Sequence, residues 1–130
     1  MKDEIKEKEK HALEELKSID IEELRPDIDK IIESNLKRKN FPLIMVWLWK
    51  KFQKDDFVYA DDLAEFLGVS RYIAYEYLRE FCRLGLLYKK TVTRKLLIEF
   101  RPVRNDGKML LERWVPKAWE ELKRRRKLKK

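Results

Sequence analysis

"ADDLAEFLGVSRYIAYEYLREFCRLGLL", residues 60–87, decides how this chain is read. Leu63, Ala64 and Leu67 recur at helical spacing, and Gly68-Val69 interrupts the run. Ser70 then stands where an N-cap is needed, ahead of a second helix whose apolar stripe is Ala74, Leu78 and Phe81. A serine hydroxyl suits that place because the first amides of a helix have no acceptor within it. Gly85 halts the second helix, and Leu86-Leu87 starts a different pattern. The stretch predicts two helices joined by a tight turn, the second running from Arg71 to about Leu84, with a small Ala64 allowing a close crossing.

Working outward toward the C-terminus, "LLYKKTVT" and "RKLLIEFRPV" are rich in β-branched and aromatic residues and predict strands. "VRNDGK" is a hairpin turn before "MLLERWV", and Pro116 ends the sheet region. Either "TVTRK" or "VRNDGK" can be the tip of the hairpin, so a three-stranded sheet is one outcome. "KAWEELKRRRKLKK" predicts a final helix. Toward the N-terminus, "FVYA" is a short β-favouring run, and Asp61 or Asp62 begins the helix that follows. Residues 42–53 form a helix that is apolar nearly all round, so the N-terminal helices or a second subunit must cover what the domain does not. Trp47 and Trp49 on this helix lie roughly 200° apart about its axis, so they meet different neighbours. Ile28, Ile31, Ile32 and Leu36 make a stripe on an earlier helix, which also requires an apolar neighbour, and residues 3–17 are helical by composition. Trp114 and Trp119 flank Pro116 and are placed to anchor the last helix.

The order helix, short strand, helix, three-residue turn, helix, β-hairpin resembles the winged-helix superfamily of helix-turn-helix proteins, and in particular small archaeal-type transcriptional regulators. The resemblance covers about residues 42–115 and is carried most specifically by "LAEFLGVSRYIAYEYLREFCRLGLL". It implies an α+β, mainly helical fold: a winged helix-turn-helix with extra N-terminal helices and a C-terminal helix. Three parts follow, an N-terminal helical extension at 1–40 for packing or dimerisation, a winged-helix domain at 41–116, and a C-terminal helix with basic tail at 117–130.

The resemblance also implies double-stranded DNA as partner. The second helix of the pair would enter the major groove, with Ser70, Arg71, Tyr72, Tyr75 and Arg79 as its contacts. Arg71 can meet a guanine edge or a phosphate, Tyr72 and Tyr75 can donate to phosphate or cover thymine methyls, and the helix N-terminus at Ser70 favours phosphate. Glu76 departs from the basic or Ser/Thr residue that similar proteins carry there, and it either accepts from a cytosine amine or pairs with Arg79. The wing and tail would hold the backbone through Lys89, Lys90, Arg94, Lys95, Arg104, Lys108, Lys123, Arg124, Arg125 and Arg126. A homodimer through the N-terminal helices and the Trp47/Trp49 helix would set half-site spacing.

The charge agrees with that division. The net charge is +8 over 130 residues, yet residues 86–130 hold sixteen Lys and Arg against five Asp and Glu, while the remainder is slightly acidic. A basic pole of this density is the footprint of a polyanion partner, although "KRRRKLKK" alone suits a solvated tail equally well. The longest apolar run, "FPLIMVWLW", falls short of the ~20 residues of a membrane span, "MKDEIKEKEK" lacks a signal-like apolar core, and the single Cys82 fits a reducing cytoplasm. Scarce amides (Gln53, Asn35, Asn40, Asn105) beside abundant Lys, Arg and Glu are the bias expected at high temperature.

Other chemistry has little support in the residues. His11 is the lone histidine, Cys82 has no histidine or second cysteine near it, Asp55-Asp56 and Asp61-Asp62 suit helix caps, and no glycine-rich phosphate loop occurs. No enzyme, metal or cofactor is expected. The competing expectations are a winged-helix protein-interaction module within a larger nucleic-acid-associated complex and an RNA-binding accessory protein.

Overall fold

The chain is α+β and mostly helical. In a computed structural model, which describes residues 8–14, 17, 27–92 and 97–128, the elements run α1 (Ile28–Asn35), α2 (Phe41–Phe52), α3 (Ala60–Leu67), α4 (Arg71–Arg83), β1 (Leu87–Val92), β2 (Leu97–Pro102), β3 (Arg104–Asn105), β4 (Lys108–Met109), a 3-10 turn (Leu110–Arg113) and α5 (Val115–Leu128). Residues 8–14 are also helical and exposed throughout, Leu13 and His11 included.

α2 is the axis of the core. Its sequence is apolar on every side, and Phe41, Ile44, Met45, Leu48 and Phe52 are all buried. Each such side chain contributes about 1.5–3 kcal/mol by leaving water, which is why a helix of this composition cannot stand at a surface. Among the described elements its main partner is α5. The two tryptophans divide as their spacing requires. Trp47 stacks on Phe66 of α3 with ring centroids 5.5 Å apart, while Trp49 faces Val115, Pro116 and Trp119 of α5.

The α5 helix also starts earlier than Pro116 suggests. Proline lacks only an amide that a first turn leaves unpaired anyway, so Pro116 sits inside α5 as its second residue. The preceding "MLLERWV" is mostly not strand: only Met109 pairs, and residues 110–113 tighten into a 3-10 turn that buries Leu111. Trp114 and Ala118 anchor α5 in the core, whereas Trp119 stays 43 % exposed. On α1 the expected stripe is covered by halves. Ile32 and Leu36 are buried, but Ile28 and Ile31 remain exposed.

The sheet region is two separate hairpins rather than one three-stranded sheet. β1 and β2 pair antiparallel from Leu87↔Pro102 to Val92↔Leu97, and Val58 adds a single bridge to Phe100. That bridge is all that the "FVYA" run contributes. β3 and β4 form a two-pair hairpin around Asp106 (φ 52°) and Gly107 (φ 78°), the two left-handed residues that a tight hairpin turn demands. Arg94 and Lys95 lie outside the described residues, between the ends of β1 and β2.

Candidate nucleic-acid interface

The α3–α4 pair is built as its residues require. Gly68 ends α3 in the left-handed conformation (φ 68°), which lets its amide and that of Val69 reach back to the Ala64 carbonyl. Ser70 Oγ accepts from the Ile73 amide at 3.2 Å and caps α4. The start of α3 differs from expectation. Tyr59 is its N-cap, and Asp62 lies two residues inside, accepting from the Tyr59 amide at 2.9 Å. Leu63, Ala74, Leu78 and Phe81 are fully buried, so the pair is locked to the core along the expected stripes.

What α4 leaves outside is less cationic than its sequence suggests. Arg71 Nε lies 3.2 Å from Asp61 Oδ1 of α3, and Arg79 pairs with Glu76 at 3.6 Å along the helix. Both pairs lie at the surface and are therefore weak. Tyr72 is the most exposed aromatic of the face at 72 %, and Ile73 beside it is 44 % exposed. Ile73 escaped the sequence reading because an isolated isoleucine next to a buried alanine looks like core. Its position one residue off the Ala74, Leu78, Phe81 stripe is the signal that could have found it.

Tyr75 has a different role from Tyr72. Its ring meets Phe100 of β2 edge-on at 5.7 Å, and its hydroxyl accepts from Lys89 Nζ of β1 at 3.4 Å. The same lysine lies over the Tyr75 ring, 5.7 Å from its centroid. Tyr75 therefore joins the β1–β2 ribbon to α4, and Lys89 is the basic residue it brings to the helix.

The register splits the basic residues of the ribbon. Successive side chains of a strand point to opposite faces. Lys89 pairs across from Phe100 and shares its face, toward α4, while Lys90 pairs across from Glu99 and points away. Glu99 is buried, with Oε1 accepting from Arg101 Nη2 at 2.9 Å and Nε at 3.2 Å, and Arg101 also covers the Phe57 ring. Arg104 lines a shallow depression with Tyr88 and Arg101, the residues of that second face, and donates to the Gly107 carbonyl at 3.3 Å. Lys108 is exposed on β4.

The tail residues are largely engaged within the protein. Lys123 pairs with Glu120 at 3.1 Å and lies over Trp119, and Arg124 grips Glu121 at 2.6 Å. Hydrogen bonding to Arg124, then to Arg125, holds the Glu121 carboxyl below the usual glutamate range, and Glu121 in turn raises the Arg124 guanidinium above its ordinary value. Arg125 is structural. It donates to the carbonyls of Lys37 (3.0 Å), Arg38 (2.9 Å) and Lys39 (2.6 Å), which follow the end of α1. Of the four tail residues expected to meet DNA, Arg126 alone is exposed without such a contact among the described residues.

Among the described residues no three His, Cys, Asp or Glu side chains gather as a metal site would require, and no helix is long and apolar enough to cross a membrane. Burial pushes the Cys82 thiol above its ordinary value, with Lys89 pulling weakly the other way. A scan against models of known protein families finds no match, and a search of curated protein sequences finds none either.

Proposed function

We propose that the chain is a non-catalytic DNA-binding protein of the winged-helix type, acting as a transcriptional regulator. The observation that carries this reading is the contact of Lys89 with Tyr75, which joins a basic ribbon to the exposed face of a capped helix after a tight turn. In this reading α4 enters the major groove. Arg71 leaves Asp61 for a phosphate or guanine, Tyr72 and Ile73 cover thymine methyls, and the amides at Ser70 receive a phosphate. Lys89, with Arg94 and Lys95 of the intervening loop, follows the backbone as the wing. Lys90, on the outer face of the ribbon, and Arg104, on the neighbouring β3–β4 hairpin, touch only DNA that bends around that side.

Selection of bound duplexes from a random pool by the full-length protein tests the proposal. Enrichment of a defined site supports sequence reading by α4. An enriched palindrome adds a homodimer through the N-terminal helices and the Trp47/Trp49 helix. Recovery of no duplex above background rejects DNA as the partner.

One observation favours a second reading. Both arginines of the α4 face are already paired with acids, which suits a protein-interaction module whose exposed Tyr72 and Ile73 meet another polypeptide. Duplex affinity that is indifferent to Lys89→Ala and Arg71→Ala but lost with Arg126→Ala and Lys127→Ala supports it over the first.

A further inference from the structure

α5 leaves an apolar trough beside α2. Two neighbouring depressions share Trp119, whose ring is 43 % exposed. The first, about 560 Å³, is walled by Val46 and Trp49 from α2 and by Val115 and Pro116 from α5. The second, about 910 Å³, carries Leu43 and Leu122 beside Trp119. Every charged residue lining this larger depression is basic. Arg125 is spent on the carbonyls after α1, which leaves Lys37, Lys39 and Arg126 along the rim.

We infer that this trough docks an acidic amphipathic segment of a partner protein, with its apolar side chains against Trp49, Trp119 and Leu122 and its carboxylates toward Lys37, Lys39 and Arg126. An exposed tryptophan flanked by leucine and ringed by cations matches a helix that is apolar on one side and acidic at its borders. The smaller depression favours protein over nucleic acid. Its one cation, Lys50, is opposed by Glu112, and its other walls are apolar. The phosphates of a nucleic acid find no free cation along such walls, whereas leucine or phenylalanine side chains are removed from water there. The trough uses none of the residues assigned to DNA on α4 and the ribbon, so it stands or falls separately from that assignment.

The test is fluorescence anisotropy of a labelled synthetic helical peptide, with leucines at i, i+3, i+4, i+7 spacing and glutamates on its flanks, titrated with full-length protein. Saturable binding is expected, weakened about tenfold or more by Trp119→Ala and by Lys37→Glu with Lys39→Glu, and weakened by added salt. The same peptide with lysines for glutamates should not bind. All three positions are exposed or rim residues, and an unchanged circular dichroism spectrum certifies each variant; Lys37→Ala with Lys39→Ala replaces the charge reversal if that variant is misfolded. Failure of the acidic peptide to bind, equal binding of the lysine peptide, or indifference to the substitutions overturns the inference. Labelled oligothymidine that binds instead, and is lost with the same substitutions, assigns the trough to nucleic acid and overturns it as well.

Discussion

Arg38 Nη1 stands 2.6 Å from Glu80 Oε1, tying the short segment between α1 and α2 to α4. Asn40 adds a second tie, donating to the Tyr77 hydroxyl at 3.1 Å. Arg125 holds the same segment from α5 through its carbonyls. One linker is therefore clamped by the helix that faces outward and by the helix that closes the core.

The two clamps differ in strength. Arg38 is exposed and makes one ion pair, with a partly covered Glu80, so Arg38→Ala should cost no more than about 1 kcal/mol. Arg125 is mostly covered and satisfies several carbonyls at a helix end, so Arg125→Ala should cost about 1–3 kcal/mol. Urea unfolding of both variants checks the order, and equal losses would remove the structural role given to Arg125.

The split of the ribbon lysines gives a sharper contrast. Lys89→Ala should weaken binding to every duplex and lower the salt slope by about 0.9, whereas Lys90→Ala should leave that slope nearly unchanged. Arg94→Ala with Lys95→Ala should also weaken all sequences alike. Tyr72→Ala and Ile73→Ala should instead narrow the gap between a preferred site and random DNA. Titrations at several salt concentrations separate these effects, and a Lys90 variant as impaired as the Lys89 variant would contradict the assigned register or face.

Phe100 links three elements, pairing with Val58, meeting the Tyr75 ring and lying fully buried. Phe100→Ala should cost about 3–5 kcal/mol and loosen the ribbon from α4. Thermal unfolding gives the first number. A loss below about 1 kcal/mol would mean that the site refills on its own.

Acid should act through Glu121. Its folded carboxyl titrates below the ordinary value, so it stabilises the fold above the ordinary glutamate range near ~4.3, and that contribution disappears as pH falls through the lowered value. Glu121→Gln should flatten the acid side of the melting profile without altering its slope above neutrality. An identical acid profile in the variant would show that the Arg124 and Arg125 contacts do not persist in solution.

Cys82 should be a poor thiol nucleophile, because burial outweighs the pull of Lys89 and lowers its thiolate fraction below that of an ordinary cysteine. Reaction with a thiol-specific reagent should be slow in the native protein and rapid in denaturant. Equally fast labelling in both states would place the sulfur in open solvent.

The helix pair, its turn and its cap were legible because Gly68, Ser70 and the Ala74, Leu78, Phe81 stripe each demand the same local geometry. The fate of α2 was not. Its all-round hydrophobicity announces burial but carries no address, and only tertiary packing shows that α5 supplies the cover. The strand expected over "MLLERWV" failed for a related reason, since a short apolar run satisfies a strand and a buried turn equally. The individual candidate residues were legible as types, basic or aromatic, but not as partners. Nothing in a run of arginines reveals that Arg125 belongs to three backbone carbonyls, or that Arg71 rests on an aspartate ten positions earlier.

The alternation of Lys89 and Lys90 constrains how this chain can diverge. From the stop at Gly85 to Lys89 the backbone counts residues, because each step along β1 reverses the direction of the side chain. Inserting one uncharged residue there without a compensating bulge would present Lys90's side of the ribbon to α4 while keeping the charge of the segment. Among variants of this chain that keep its fold, spacing between that glycine and the ribbon should be held more tightly than the identity of the basic residues that follow it.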